Sequence, residues 1–315
     1  MSTAFIFPGQ GSQAVGMGKA LADSFPTARN VFSEVDDALN EKLTTIMWEG
    51  PADKLTLTEN AQPALMAVSL AALRVLEHEA GVDLKRDAAF VAGHSLGEYS
   101  ALAAAGSLTI ADTARLLRIR GRAMQAAVPV GEGAMAALLG LEFGPATQAA
   151  AEAAQGEVCQ AANDNGGGQV VVSGTRAAVE RAVELAKGKG ARRAMLLPVS
   201  APFHCALMQP AADAMAQALA KVTIKPPIVP LVANVLARAV SDPSEIVAAL
   251  IAQVTGTVRW RECIAYMADH GVDRFYEVGA GKVLSGLVKR IAASASGTAI
   301  GTPDDVAAFK AARAG

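Results

Sequence analysis

Short apolar runs alternate with longer stretches of helical period along the first part of this chain. Ala4-Phe5-Ile6-Phe7 is continuously apolar and stops at Pro8-Gly9, which predicts a short buried strand. Residues 17–25 and 27–40 carry apolar positions at helical spacing, and Gln62 to Glu79 predicts a long helix that ends near Gly81. A second strand is predicted over 88–92, followed by helices over about 96–105 and 110–127. Strands that alternate with helices predict an α/β fold with a parallel sheet.

After Val128-Pro129 the period changes. The pattern predicts a strand over Ala134 to Leu141, a helix over Pro145 to Ala154, and a strand over Glu157 to Ala162. A turn at Asn163 to Gly168 leads to a strand over Gln169 to Ser173, a helix over Thr175 to Lys187 and a strand over Arg192 to Pro198. That order, β-α-β-β-α-β, is the split or ferredoxin-like arrangement. Residues 128–198 therefore read as a small inserted domain, and 1–127 with 199–315 as the α/β core. The core resumes with a helix over 207–221, a strand over 228–233, helices over 243–253 and 259–270, a strand over 273–278 and a helix over 282–293.

Composition narrows the function. Of 315 residues 52% are hydrophobic and only 4% aromatic, which suits close helix–sheet packing more than a base-stacking surface. A net charge of −2 argues against a general nucleic-acid binder. The longest apolar stretch, Ala64 to Leu73, is too short to span a bilayer and ends at Arg74, so no membrane association is expected. The first residues enter a strand with no basic segment ahead of it, unlike a signal peptide. Three cysteines, Cys159, Cys205 and Cys263, form no CxxC pair and suggest free thiols in a reducing, cytoplasmic setting. No long amphipathic seam is left over, so a monomer is expected.

The most informative stretch is Gly93-His94-Ser95-Leu96-Gly97. It has the form G-x-S-x-G between a predicted strand and a predicted helix, the setting of a nucleophile elbow. The alternative is a glycine-rich turn with an ordinary serine N-cap. A nucleophilic Ser95 needs a base within hydrogen-bond reach. Of the four histidines, His78 and His270 fall in the last turns of helices, where the dipole favours them. His94 adjoins Ser95, and adjacent side chains diverge, so it supports the elbow at most. His204, in the proline-flanked segment Ser200-Ala201-Pro202-Phe203-His204-Cys205, is the candidate base, against the alternative of a hydrogen-bonded core histidine. Cys205 is a rival nucleophile with poor geometry toward its neighbour. No acidic residue stands out as a third member, which points to a Ser–His dyad oriented by a neutral group.

Two glycine-rich loops remain. Pro8-Gly9-Gln10-Gly11-Ser12-Gln13 fits a loose dinucleotide fingerprint, but the acids about twenty residues on (Glu34, Asp36, Asp37) lie in a helical pattern. It reads better as a donor loop in which the Gln10 N–H joins the Leu96 N–H in an oxyanion hole. Gly279-Ala280-Gly281-Lys282 lacks the spacing of a P-loop and reads as a helix-start turn.

These loops and three further segments occur in order in one family. Phe7 to Gln13, Gly93 to Ser100, Arg120 to Gln125, Pro198 to Cys205 and Glu277 to Leu284 together make the chain, over essentially its whole length, resemble the malonyl-CoA:acyl carrier protein transacylases of bacterial fatty acid synthesis. The resemblance implies an α/β-hydrolase-like core with a ferredoxin-like small domain. It implies Ser95 as nucleophile, His204 as base, the N–H groups of Gln10 and Leu96 as oxyanion hole and Arg120 as the group that binds the malonyl carboxylate. Read from the sequence alone, Arg120 belongs to the solvated face of a basic helix with Arg115, Arg118 and Arg122. The family's glutamine, whose main-chain carbonyl orients the histidine, corresponds to Gln253, and Phe203 to a position that limits bulk at the malonyl α-carbon. Where the family has proline this chain has Thr257, which puts the turn after Gln253 in question.

The implied partners are malonyl-CoA and acyl carrier protein, with no metal or redox cofactor. Because that carrier is acidic, Lys187, Lys189, Arg192, Arg193, Lys282, Lys289 and Arg290 are its candidate docking residues. An acetyl donor would leave a partly buried Arg120 unpaired, a penalty of about 3–5 kcal/mol. The rival readings are a polyketide-type acyltransferase with another acyl preference, a serine thioesterase or hydrolase, and a non-catalytic carrier-docking module.

Overall fold

The computed structural model describes residues 2–199 and 201–314; Ser200, part of one quoted segment, lies outside them. The strands in chain order are β1 (Ser2–Phe7), β2 (Phe90–Gly93), β3 (Gly133–Leu139), β4 (Cys159–Asp164), β5 (Gln169–Thr175), β6 (Arg193–Leu196), β7 (Leu231–Ala233), β8 (Arg238–Val240), β9 (Val272–Val278) and β10 (Ser296–Ile300). They form a six-stranded sheet in the order β10-β9-β1-β2-β7-β8 and a four-stranded sheet in the order β4-β5-β3-β6.

The larger sheet is parallel except for β8, which runs antiparallel to β7. At its centre, β1 is apolar at successive positions because helices cover both faces. Phe5 and Phe7 point into one core with the helix Thr58–Ala80, while Ala4 and Ile6 join Trp260 and Phe275 in another. Thr58–Ala80 is buried along most of its length and begins four residues before the predicted start. Pro63 sits inside it. The Glu59 carbonyl that a proline leaves without an N–H partner accepts instead from Arg118 Nη1 at 2.9 Å. The edge strands β8 and β10, and the helices Leu43–Glu49, Ala52–Thr56, Leu84–Asp87 and Pro303–Ala314, escaped the sequence reading. β8 has three residues, and β10 (Ser-Gly-Thr-Ala-Ile) has no apolar run.

The smaller sheet is antiparallel throughout and carries the helices Phe143–Ala154 and Arg176–Gly188 over its own core of alanine and valine side chains. Its chain order is β-α-β-β-α-β. β4 runs through Asp164, two residues beyond the predicted strand, because the other body extends it. Val258 N–H donates to the Ala162 carbonyl at 2.8 Å, Asp164 N–H to the Val258 carbonyl at 2.9 Å, and Thr257 Oγ1 to the Ala161 carbonyl at 2.6 Å. Arg261 pairs with Asp164 at 2.8 Å across the same seam.

The turn after β2 has no room for side chains at its glycines. A Cβ on Gly97 would lie 2.3 Å from the Phe7 carbonyl oxygen, and one on Gly93 1.9 Å from the Gly97 carbonyl. Gly97→Ala must push β1 and the turn apart. A loss of about 3 kcal/mol or more is expected, seen as a lower melting temperature and a smaller yield of folded protein.

Candidate active site

Ser95 sits at the apex of the turn between β2 and the helix Gly97–Ala104, with φ at 53°. Asn234, at the end of β7, holds the apex from both sides. Its Oδ1 accepts the Ser95 N–H and its Nδ2 donates to the Gly93 carbonyl, each at 2.8 Å. His204 also has a positive φ, 58°, in the irregular segment that follows the smaller sheet. Its Nε2 lies 2.8 Å from Ser95 Oγ, and its Nδ1 lies 2.8 Å from the Gln253 carbonyl oxygen. A carbonyl can only accept, so Nδ1 carries the proton and Nε2 presents its lone pair to the serine hydroxyl. Among the described residues, no carboxylate hydrogen-bonds the ring.

Arg120 is 1% exposed, so the solvated-face reading is wrong for this residue. Its helix, Ile110–Ala126, turns Arg115 and Arg122 outward and Arg120 into the site. Nη1 donates to Gln62 Oε1 at 2.8 Å, and Nη2 to Gln253 Oε1 at 2.8 Å and to Ser95 Oγ at 3.1 Å. The guanidinium lies 5.7 Å from the centre of the Tyr99 ring. Two amide oxygens already satisfy it, so an acetyl donor would not leave it bare as the sequence argument supposed; only Nε lacks a partner.

Burial, then the positive charge of Arg120, holds His204 down at about 3. The ring is neutral, and able to accept a proton, across the working pH range.

The site opens into a cavity of about 490 Å³ between the two sheets. Gln10, Leu96, Phe203 and His204 line it from one side, and Met135, Asn163, Asn165 and Val171 of the smaller sheet from the other. The backbone N–H groups of Gln10 and Leu96 donate to no described residue, while the Gln10 side chain reaches Thr58 Oγ1 at 3.3 Å. Phe203 is 8% exposed at the cavity wall.

The other histidines stand apart from Ser95. His94 Nε2 meets Asn165 Oδ1 at 2.9 Å and its ring packs on Trp260. His78 pairs with Glu79, and His270 stacks on Tyr266. Cys205 is fully buried and does not line the cavity. The turn at Gly279 to Lys282 leads into the helix Val283–Ile291, whose Leu284 and Ser285 N–H groups donate to the Glu277 carboxylate at 3.1 and 2.7 Å. A phosphate would find its place taken. Among the described residues, no three His, Cys, Asp or Glu side chains cluster to hold a metal ion, and no helix is long and apolar enough to cross a membrane.

The sequence reading missed four side chains of the site: Asn234, Gln62, Asn165 and Glu98. Glu98 is fully buried behind Ser95, where its Oε2 accepts from Asn234 N–H at 3.0 Å and from Gln253 Nε2 at 2.9 Å. Its place in the first turn of a helix invited the ordinary reading of an acid facing the dipole. The two asparagines and the glutamine carry no charge pattern that would have marked them.

Residues 4–303 match the family model of the acyl transferase domain. The chain is 47% identical over 305 residues to the malonyl CoA-acyl carrier protein transacylase of Escherichia coli (strain K12), covering 97% of each. It is similar in structure to the acyl-carrier-protein S-malonyltransferase of Bartonella henselae, with a TM-score of 0.97 and 58% identity over 100% of both chains. A malonyl-transacylase solved in complex with a type II PKS acyl-carrier protein matches with a TM-score of 0.95 and 40% identity, over 99% of this chain and 100% of that one.

A neutral base predicts the acid side of the pH profile. The kcat/KM for acylation of Ser95 reports the free enzyme's ionisations. With His204 held at about 3, it should show no fall between pH 7 and pH 5. A loss with a midpoint near the ordinary histidine value in stopped-flow acylation would contradict the assigned environment.

Proposed function

The chain belongs to the acyl transferase family, and from that membership we infer its reaction: it transfers the malonyl group of malonyl-CoA to the phosphopantetheine thiol of acyl carrier protein. One observation carries the choice of acyl group. A fully buried guanidinium, with no carboxylate of its own against it, lies 3.1 Å from the nucleophile's oxygen inside the cavity. Its fork can take a carboxylate in two parallel hydrogen bonds.

In the proposed course, Ser95 gives its proton to His204 Nε2 as Oγ attacks the thioester carbonyl. The resulting oxyanion lies against the N–H groups of Gln10 and Leu96, neither of which donates to a described residue. Collapse expels the CoA thiolate, which takes the proton back from Nε2, and leaves a malonyl ester on Ser95. The carrier thiol then gives its proton to His204 and attacks the ester, and Ser95 Oγ leaves with that proton. Phe203, at the cavity wall, limits the room at the malonyl α-carbon.

Arg120 does more than bind. Its charge is one of the causes that depress His204. A malonyl carboxylate on the guanidinium cancels that charge beside the ring and favours the imidazolium of the transition state. The carboxylate thus raises the basicity of the group that activates the nucleophile, and selection falls on kcat as well as KM.

Acyl carrier protein is the acceptor, and the reading narrows its docking residues. Lys187 is paired with Glu184 and Lys189 with Glu152, whereas Arg192, Arg193, Lys282, Lys289 and Arg290 form no ion pair with a described residue. The latter five are the stronger candidates. The three buried, unpaired cysteines fit a reducing cytoplasm. Each step is carried by this chain and its two thioester partners, with no cofactor taking part.

Intact-protein mass after brief exposure to malonyl-CoA should rise by one malonyl group in the wild type and not at all in Ser95→Ala. Arg120→Ala should lower kcat/KM for malonyl-CoA by about 3 kcal/mol, on the order of a hundredfold, and acetyl-CoA turnover far less. Equal losses with both donors would show that Arg120 does not choose the acyl group. Released CoA with no adduct and no need for an acceptor would mark a hydrolase.

A further inference from the structure

Glu98 takes no part in the steps above, yet hydrogen bonds through Gln253 and Asn234 link it to Ser95, His204 and Arg120. Its Oε2 accepts from Gln253 Nε2 at 2.9 Å, and Gln253 Oε1 accepts from Arg120 Nη2 at 2.8 Å. One side-chain amide thus bridges a buried carboxylate and a buried guanidinium. The same Nε2 donates to the Ser95 carbonyl at 3.0 Å, and the Gln253 main chain holds His204. Through Asn234, Oε2 also steadies the residue that receives the Ser95 N–H. Oε1 of Glu98 has no partner and no access to solvent.

Few charges face this carboxylate. Tyr99 lies beside it on its own helix, Cys263 faces it from the helix Trp260–Asp269, and Arg120 from the helix Ile110–Ala126; His204, on the segment after the smaller sheet, faces Arg120 in turn. Burial pushes Tyr99 up to about 12 and Cys263 well above the usual thiol range, so both are neutral. The resting site then holds one buried cation, Arg120, and one buried anion, Glu98, a single amide apart. A donor carboxylate seated on Arg120 makes a second anion for that one cation. Two anions in a dry pocket are costly unless one takes a proton. Oε1 can take it without breaking any bond of the relay, because both bonds end on Oε2.

We propose that Glu98 is the resting counter-charge of Arg120, relayed through the Gln253 amide, and that it takes up a proton at Oε1 from solvent when a carboxylate-bearing acyl donor engages Arg120. This rests on the malonyl reading above. Burial already raises Glu98 to about 7, against the hydrogen bonds from Asn234 and Gln253 and the charge of Arg120. At pH 8 most of the resting protein therefore has Glu98 ionised and able to accept the proton.

The test uses the Ser95→Ala protein, which binds donors without acylation, in calorimetric titrations at pH 8 in buffers of different ionisation enthalpy. Malonyl-CoA should take up close to one proton more than acetyl-CoA, which carries the same CoA phosphates. Its affinity should fall by up to about tenfold per pH unit above pH 7. Adding Glu98→Gln keeps an acceptor oxygen for Asn234 and Gln253 and should abolish both the extra proton and the pH dependence. If that double variant does not fold, His204→Gln in the Ser95→Ala protein decides instead: the extra proton should persist there, and its loss would place it on His204 and overturn the inference. Tighter binding of malonyl-CoA than acetyl-CoA with no extra proton overturns the inference and leaves the malonyl reading standing. So does an extra proton that persists in Glu98→Gln, since it would sit elsewhere, on His204 for example. No preference for malonyl-CoA at all sinks both.

Discussion

A buried guanidinium without a carboxylate against it constrains the rest of this site. In the proposed reaction Arg120 must be satisfied when the cavity holds no acyl group, yet stay free to take a carboxylate when one arrives. Amide oxygens meet both demands: Gln62 and Gln253 accept its hydrogen bonds but bring no charge that would compete with a substrate anion. The face of Tyr99 adds attraction without a hydrogen bond. The same constraint accounts for the missing third acid. The charge of Arg120 reaches the His204 ring, so a carboxylate held on Nδ1 would put an anion into its field. A main-chain carbonyl fixes the tautomer and the ring equally well and leaves the cation alone.

The fold brings these groups together by close approach of backbones. Gly121, next to Arg120, lies so near the start of the helix Thr58–Ala80 that a Cβ there would be 2.5 Å from Glu59 Cα. That contact lets Arg120 reach Gln62 across the helix pair. On the sheet side, Gly97 lets the elbow settle against the Phe7 carbonyl, so that the loop with Gln10 and the elbow residue Leu96 border the same cavity. Rigid elements set each member: a helix start for Leu96, a strand end for Asn234, the interior of a helix for Arg120 and the last turn of the helix Pro243–Thr255 for Gln253.

Much of this could be read from the sequence where a residue's local pattern and its tertiary role agree. The elbow was legible because strand, glycine-spaced turn and helix are all local. The apolar runs of β1 and β2 were legible because both faces of the sheet are covered. Arg120 was not, since a helix with four arginines at positions 115, 118, 120 and 122 reads as a wet face. Only the family resemblance marked it, because periodicity cannot tell which of several cations a neighbouring helix will cover. Glu98 was quoted within the elbow motif and passed over for the opposite reason, a first-turn acid being what any surface helix offers. Asn234 follows a three-residue strand that pairs β2 only in the folded sheet, and nothing near it in sequence announces that contact.

The turn after Gln253 ties the two bodies together and bears on Thr257, where the family pattern has proline. Thr257 Oγ1 donates to the Ala161 carbonyl, and Val258 beside it exchanges hydrogen bonds with β4. A proline stiffens a turn through its ring, whereas this threonine anchors the turn by a hydrogen bond that a proline cannot make. Four residues upstream, at the end of the same helix, is the carbonyl that orients His204. The seam thus fixes at once the position of His204 and that of Asn163 in β4 and Asn165 in the turn after it, on the far wall of the cavity. Any shift of the smaller sheet that widened the cavity would strain that turn, and so the width of the substrate channel and the aim of the imidazole are set by the same few hydrogen bonds.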